Sequence, residues 1–314
     1  DRDRAGDGDD DRVGLEGAPG EDHLVAGVAG GLHELAEQVL SAGFPVVLDA
    51  AYLKREQRSA AWQVAEQNGT PFLILDCQAP QDVIAAWLQQ HTDLKPGDRI
   101  AVQMPNVLQY PIAVFGAMRA GLIVVNTNPL YTAREMEHQF NDSGAKALIC
   151  LANMAHLAEQ VVPKTGVKTV IVTEVGDMLP TFKRLLVNFV IKHVKKMVPA
   201  YNLPQAVKLN DALAKGRGQS FSEANPSNAD IAVLQYTGGT TGVAKGAMLT
   251  HGNLVANMQQ AAAWVGTNVK LGEELIVTAL PLYHIFALTA NGLVFMELGG
   301  LNHLITNPRD MPSF

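Results

Sequence analysis

From Arg99 onward the chain alternates short apolar runs with stretches of helical periodicity, and this constrains its fold more than any other feature. Arg99–Met104, Leu122–Val125, Ala147–Cys150 and Thr169–Val172 are rich in Val, Ile and Leu and carry almost no charge. A strand of that composition is buried on both faces, as in a parallel sheet. Leu108–Ala120 reads as the helix between the first two strands. Thr132-Ala133-Arg134-Glu135 matches a capping box and opens a helix running to about Ser143. The expected class is therefore α/β, with mostly parallel sheets covered by helices. Two further strands are expected, at 231–235 and 275–279.

The same rhythm is shorter and less regular before that. Residues 1–31 are Asp-, Arg- and Gly-rich and cannot bury enough apolar surface to offset their ordering entropy, so this acidic tail is expected to be disordered. Residues 32–90 read as a small α/β fragment, with helices at Leu32–Leu40, Lys54–Asn68 and Gln81–Gln90 and buried strands at Pro45–Asp49 and Phe72–Asp76. A new domain, 92–314, begins at about Pro96-Gly97-Asp98, which places the junction near His91.

Composition removes several function classes. With 24 Lys+Arg against 31 Asp+Glu the net charge is −7, unlike a protein whose main work is to wrap nucleic acid. Two cysteines, Cys77 and Cys150, each end an apolar run and read as buried reduced thiols rather than a disulfide framework. No Cys/His cluster has zinc spacing, so no metal site is expected from the residues. Without an apolar leader in this sequence, the expected compartment is the cytoplasm.

Two segments bear on membranes. Leu275–Met296 lacks Lys, Arg, Asp and Glu, but Pro281, His284, Asn291 and Gly292 interrupt it. Strand, loop and helix fit it better than a span. Thr181–Val198 sets Phe182, Leu185, Leu186, Phe189, Val190 and Val194 beside Lys183, Arg184, Lys192, Lys195 and Lys196. A basic amphipathic helix of this kind lies either on the protein as an ordinary surface helix or on an anionic membrane surface, here the inner membrane.

Ile231–Lys245 carries the chemistry. An apolar strand runs into Tyr236-Thr237-Gly238-Gly239-Thr240-Thr241-Gly242 and ends, after Val243 and Ala244, on Lys245. The glycines let the backbone approach a ligand, the threonines supply hydroxyl donors, and the lysine adds a positive charge. Successive backbone N–H groups in such a loop form an anion nest. Together these features describe a phosphate cradle, with charge-assisted bonds of about 1.5–3 kcal/mol each. Walker A is excluded because Lys245 follows Ala244, and the dinucleotide fingerprint because Gly238 and Gly239 are adjacent.

Tyr236–Lys245 resembles the ATP-binding signature of the adenylate-forming superfamily. Residues 94–314 are similar to the N-terminal part of bacterial long-chain fatty-acid–CoA ligases, through Met104–Gly121, Val125–Ser143, Leu234–His251, Val277–Ala287 and Leu304–Asp310. The resemblance implies an incomplete adenylate-forming N-terminal domain that uses ATP, Mg²⁺, a fatty acid and coenzyme A. It implies that Tyr236, Thr237, Gly238, Gly239, Thr240, Thr241, Gly242 and Lys245 grip the ATP phosphates. His284, in Pro-Leu-Tyr-His-Ile-Phe, would sit beside the acyl carboxylate and the adenylate, and Ala287–Glu297 would help wall the acyl tunnel.

This sequence lacks other parts of the family pattern. It has no Tyr-Gly-x-Thr-Glu segment, no later ribose-binding aspartate and no C-terminal domain with the adenylation lysine. No catalytic set is complete, and the 314 residues are expected to be inactive alone. Residues 32–90 resemble the distal part of a P-loop kinase-like ATPase domain without its Walker A, so the chain reads as two fused fragments. The alternatives are a P-loop kinase-like ATP-binding protein, a dinucleotide-dependent oxidoreductase and a non-catalytic α/β remnant.

Overall fold

The computed structural model describes residues 36–38, 40–41, 63–64, 66–68, 80–237, 244–266 and 268–309. The chain divides into two compact units, Asp1–Cys77 and Gln78–Phe314. In the first, the described residues 36–38, 40–41, 63–64 and 66–67 are helical, within the helices expected at 32–40 and 54–68. The strands expected at 45–49 and 72–76, the tail 1–31 and Cys77 lie outside the described residues.

The second unit opens with helix α1 (Pro80–His91). Sequence reading placed this helix before a junction near His91, yet Val83, Ile84, Trp87 and Leu88 sit in the core of the second unit. Two glycines let it pack so closely. A Cβ at Gly116 would meet Ile84 and stand 2.9 Å from the Gln81 carbonyl, and one at Gly216 would meet the Val83 carbonyl. The division at residue 77 follows from this packing.

The central sheet then builds as expected. Strands β1 (Arg99–Gln103), β2 (Ile123–Asn126), β3 (Ala145–Leu151) and β4 (Thr169–Thr173) are joined by β5 (Val207–Lys208), β6 (Ile231–Thr237) and β7 (Lys245–Thr250) in the order β5-β4-β3-β1-β2-β6-β7. All pairings are parallel except β6 with β7. Helices α2 (Gln109–Arg119), α3 (Ala133–Ser143), α4 (Ala155–Val161), α5 (Thr181–Phe189) and α6 (Leu209–Gly216) come from the connections. The cap of α3 is as read: the Thr132 side chain accepts from the Glu135 amide, and the Glu135 carboxylate accepts from the Thr132 amide at 2.8 Å.

Alternate residues of each strand face opposite cores. Ile100, Val102, Val124, Ile149, Ile171 and Val233 pack with α1, α2 and α6. Ala101, Val125, Leu148, Cys150, Val172 and Leu234 pack with α3 and α4. Cys150 is a free, buried thiol whose pKa burial pushes up to about 12. It stays protonated at neutral pH, as expected of a structural cysteine.

Beyond β7 come α7 (His251–Val265), then β8 (Leu275–Thr278), a helical run from Ile285 to Glu297 with a π turn at Leu288–Leu293, and β9 (Leu301–Leu304). Strands β8 and β9 pair in parallel as a second, two-stranded sheet. Leu275–Met296 is thus strand, loop and helix, and among the described residues no helix is long and apolar enough to cross a membrane.

Candidate functional site

The loop expected to cradle phosphate joins the two antiparallel strands at the sheet's edge. Tyr236 and Thr237 belong to β6 and Lys245 opens β7, with Thr237 opposite Lys245 in register. The sequence placed all three in the loop. The strands reach further because ladder hydrogen bonds extend up to the glycines. Gly238, Gly239, Thr240, Thr241, Gly242 and Val243 lie outside the described residues. Thr237 and Lys245 are exposed where the chain enters and leaves this segment.

Tyr236 has a different place from its neighbours. Its ring is buried beneath α3, and its hydroxyl donates to Asp142 Oδ2 at 2.5 Å. Burial, then the Asp142 carboxylate, pushes the phenol pKa up, so the hydroxyl stays protonated and remains a donor. Gly246, on the partner strand, accommodates the ring: a Cβ there would stand 2.9 Å from Tyr236 Cε2. His138 of α3 adds a second tie, with Nε2 3.1 Å from the Ala244 carbonyl. The base of the hairpin is thereby fastened to α3 through β6 and through Ala244, the residue before β7.

His284 is exposed and caps the helical run that follows it. Its Nδ1 accepts from the Phe286 amide at 3.3 Å. That bond leaves Nε2 as the ring nitrogen able to donate outward. Asn106 holds the segment carrying His284. Its Nδ2 donates to the Thr278 and Leu280 carbonyls, both at 2.9 Å, and its Oδ1 accepts from the Leu282 amide at 2.7 Å. Tyr110 Oη lies 2.8 Å from both the Leu282 carbonyl and Asn126 Oδ1. Asn126 Nδ2 in turn donates to Gln235 Oε1 at 3.2 Å.

These polar groups are buried at the carboxyl ends of β1, β2 and β6. The ends of neighbouring parallel strands are where open α/β sheets place ligands. A continuous hydrogen-bonded path therefore runs from the segment of His284, through Tyr110 and Asn126, to the residue preceding Tyr236. Sequence reading missed Asn106, Tyr110, Asn126, Asp142 and Gln235. All five lie within Met104–Gly121, Val125–Ser143 or Leu234–His251, which carried the resemblance, but Tyr110 reads as ordinary core in a helix.

Among the described residues, no group of three or more His, Cys, Asp and Glu side chains is placed to hold a metal ion. The described side chains thus offer no cage for the Mg²⁺ implied by the resemblance.

The mostly parallel sheet covered by helices defines an α/β fold class, and the family follows from comparison. The family described as AMP-binding enzyme matches residues 77–314, so the chain belongs to it. A second family, described as an AAA domain, matches residues 12–110, in line with the ATPase-like character read in 32–90. The long-chain-fatty-acid–CoA ligase of Escherichia coli O157:H7 is 59% identical over 228 residues, covering 73% of this chain and 41% of that protein. The ligase of the same description from Bacillus subtilis is 38% identical, covering 69% and 38%. The chain therefore spans about two-fifths of the length of these relatives.

Solved structures agree on the fold. A long-chain-fatty-acid–CoA ligase from Archaeoglobus fulgidus superposes with a TM-score of 0.57 at 26% identity, covering 73% of this chain and 39% of that one. MbtA of Mycobacterium smegmatis gives 0.60 at 23%, covering 88% and 50%.

Proposed function

We propose that residues 78–314 supply the phosphate-gripping part of a long-chain fatty-acid–CoA ligase. The observation that carries this reading is the 59% identity to such ligases over 228 residues. In the proposed reaction a fatty carboxylate oxygen attacks the α-phosphorus of ATP and pyrophosphate leaves. The coenzyme A sulfur then attacks the acyl carbon of the adenylate, the thioester C–S bond forms and AMP departs. The carboxylate is ionised at neutral pH, so the first step needs no general base.

Each residue has its part in this reading. Thr237, Gly238, Gly239, Thr240, Thr241 and Gly242 donate backbone and hydroxyl hydrogens to the phosphates, and Lys245 offsets charge that develops on the departing pyrophosphate. Tyr236, buried under α3, anchors the loop. His284 presents its outward ring nitrogen to the acyl carboxylate or the adenylate. Mg²⁺ accompanying ATP would supply further charge neutralisation at the phosphates.

Titration of the chain with ATP tests the reading. Lys245→Ala should weaken binding by about 10- to 150-fold, the value of one charge-assisted bond. An unchanged dissociation constant would place the phosphates elsewhere.

A further inference from the structure

Strand β6 outruns the sheet that supports it. Its parallel ladder with β2 ends at Asn126–Gln235, whereas its antiparallel ladder with β7 continues through Tyr236–Gly246 to Thr237–Lys245. Since β7 is the last strand of the sheet, no third strand among the described residues flanks this overhanging end. A ribbon of two strands is marginally stable in water by itself. Lys245 is exposed at the tip of the overhang, opposite Thr237.

Helix α3 takes over the support. His138 and Asp142 are four positions apart and so share one face of the helix. Asp142 Oδ2 accepts from Tyr236 Oη at 2.5 Å, and His138 Nε2 lies 3.1 Å from the Ala244 carbonyl. The ribbon is thus held one residue before Thr237 and one residue before Lys245. A carbonyl only accepts, so Nε2 carries the proton in this contact, whether the ring is neutral or charged. The helix is itself firmly seated. Met136, Gln139 and Phe140 are buried, and Gln139 Nε2 donates to the carbonyl of Asn126, where the β2 ladder ends, at 3.0 Å. Apolar packing accounts for the buried Tyr236 ring. It gives no reason for a histidine bond to the backbone carbonyl beside an exposed lysine.

We propose that His138 and Asp142 are positioning residues for the phosphate grip. They hold the backbone from which Lys245 reaches the phosphates, and neither is assigned a contact with the nucleotide. The proposal rests on the reading of Lys245 given above. An anchored segment has less freedom left to lose on binding, and apparent affinity follows the fraction of molecules in which the competent arrangement is already formed.

The test is calorimetric titration of the full chain with ATP, as a double-mutant cycle between His138 and Lys245. His138→Leu removes the donor and should weaken binding about 3- to 10-fold, the range of one net hydrogen bond. His138→Gln, whose amide can bring an N–H near the place of Nε2, should recover most of that loss. Because His138 acts through Lys245, His138→Leu should weaken binding by less than about twofold in a chain that already carries Lys245→Ala. Asp142→Leu should behave as His138→Leu does, whereas Asp142→Asn keeps an acceptor for Tyr236 and should bind as the parent. His138 is half-buried, and an unchanged circular dichroism spectrum shows that its variants fold. Should His138→Leu not fold, the same cycle with Asp142→Leu, at an exposed position, decides. Unchanged affinity in both Leu variants would overturn the proposal and leave the phosphate reading standing. So would losses that multiply in the double variant, since a general weakening of the fold acts independently of Lys245. A parent chain that does not bind ATP, or a Lys245→Ala chain that binds it equally well, would overturn the phosphate reading and this proposal with it.

Discussion

Tyr236 of β6 and Asp142 of α3 meet in a 2.5 Å hydrogen bond that joins the edge hairpin to the layer of helices beneath it. The donor is buried and the acceptor, at the exposed end of α3, is a carboxylate. Tyr236→Phe should lower stability by about 1–2 kcal/mol, because water can still solvate Asp142. Urea unfolding measures this. The phenol pKa is raised in the fold, so its stabilisation is present below the unfolded value near 10 and lost as pH climbs toward the folded one.

Asp98 gives the opposite pH response. Burial alone would raise its pKa, but the Lys146 ammonium at 2.7 Å, the Lys95 amide and the nearby Arg99 charge outweigh it and hold it low. A lowered carboxylate pKa stabilises the fold above its unfolded value, about 3.9, and that contribution fades as pH falls through the folded one. Asp98→Asn should therefore destabilise the chain at neutral pH and matter progressively less below pH ~4. Thermal melts of both proteins across that range measure the convergence.

Asn106 satisfies two carbonyls and one amide of the segment that carries His284. Asn106→Leu would leave these buried groups without a partner, at about 2–5 kcal/mol in total. Hydrogen exchange should locate the damage: the Leu282 amide should exchange faster, while β3 amides change only with global stability. A uniform increase across both would mean that Asn106 does not hold the segment locally.

The 314 residues by themselves should form no measurable palmitoyl-CoA or oleoyl-CoA in the presence of ATP, Mg²⁺ and coenzyme A. These residues span about two-fifths of the length of the ligases they match, and cooperating catalytic groups are not replaced by a subset of them. A pyrophosphate-release assay run beside Lys245→Ala checks it. Fatty-acid-dependent turnover that the variant loses would falsify this expectation.

Much of the second unit was legible in the residues because each signal is local. The runs read at 99–104, 122–125, 147–150, 169–172, 231–235 and 275–279 became β1, β2, β3, β4, β6 and β8; the first five are largely buried, as such runs favour, whereas β8 is largely exposed. The Thr132–Glu135 cap is a contact between neighbours in sequence, and it formed as read. Strands β5, β7 and β9 escaped notice. Lys245–Thr250 pairs only because β6 presents it an edge, and Leu301–Leu304 only because β8 does.

By itself the sequence determined the parallel α/β class, the place of the Gly/Thr-rich turn after an apolar strand, and the amphipathic character of residues 181–198. Tertiary structure decided what each of these faces. It turned Tyr236 under α3, braced the His284 segment through Asn106 and Tyr110, drew α1 into the second unit and pointed the Phe and Leu stripe of α5 outward. The physical reason is range. Strand and helix preferences act between residues a few positions apart, whereas the partner of a buried hydroxyl or the outward side of a helix depends on groups far along the chain: 94 positions separate Tyr236 from Asp142 and 176 separate Leu282 from Asn106.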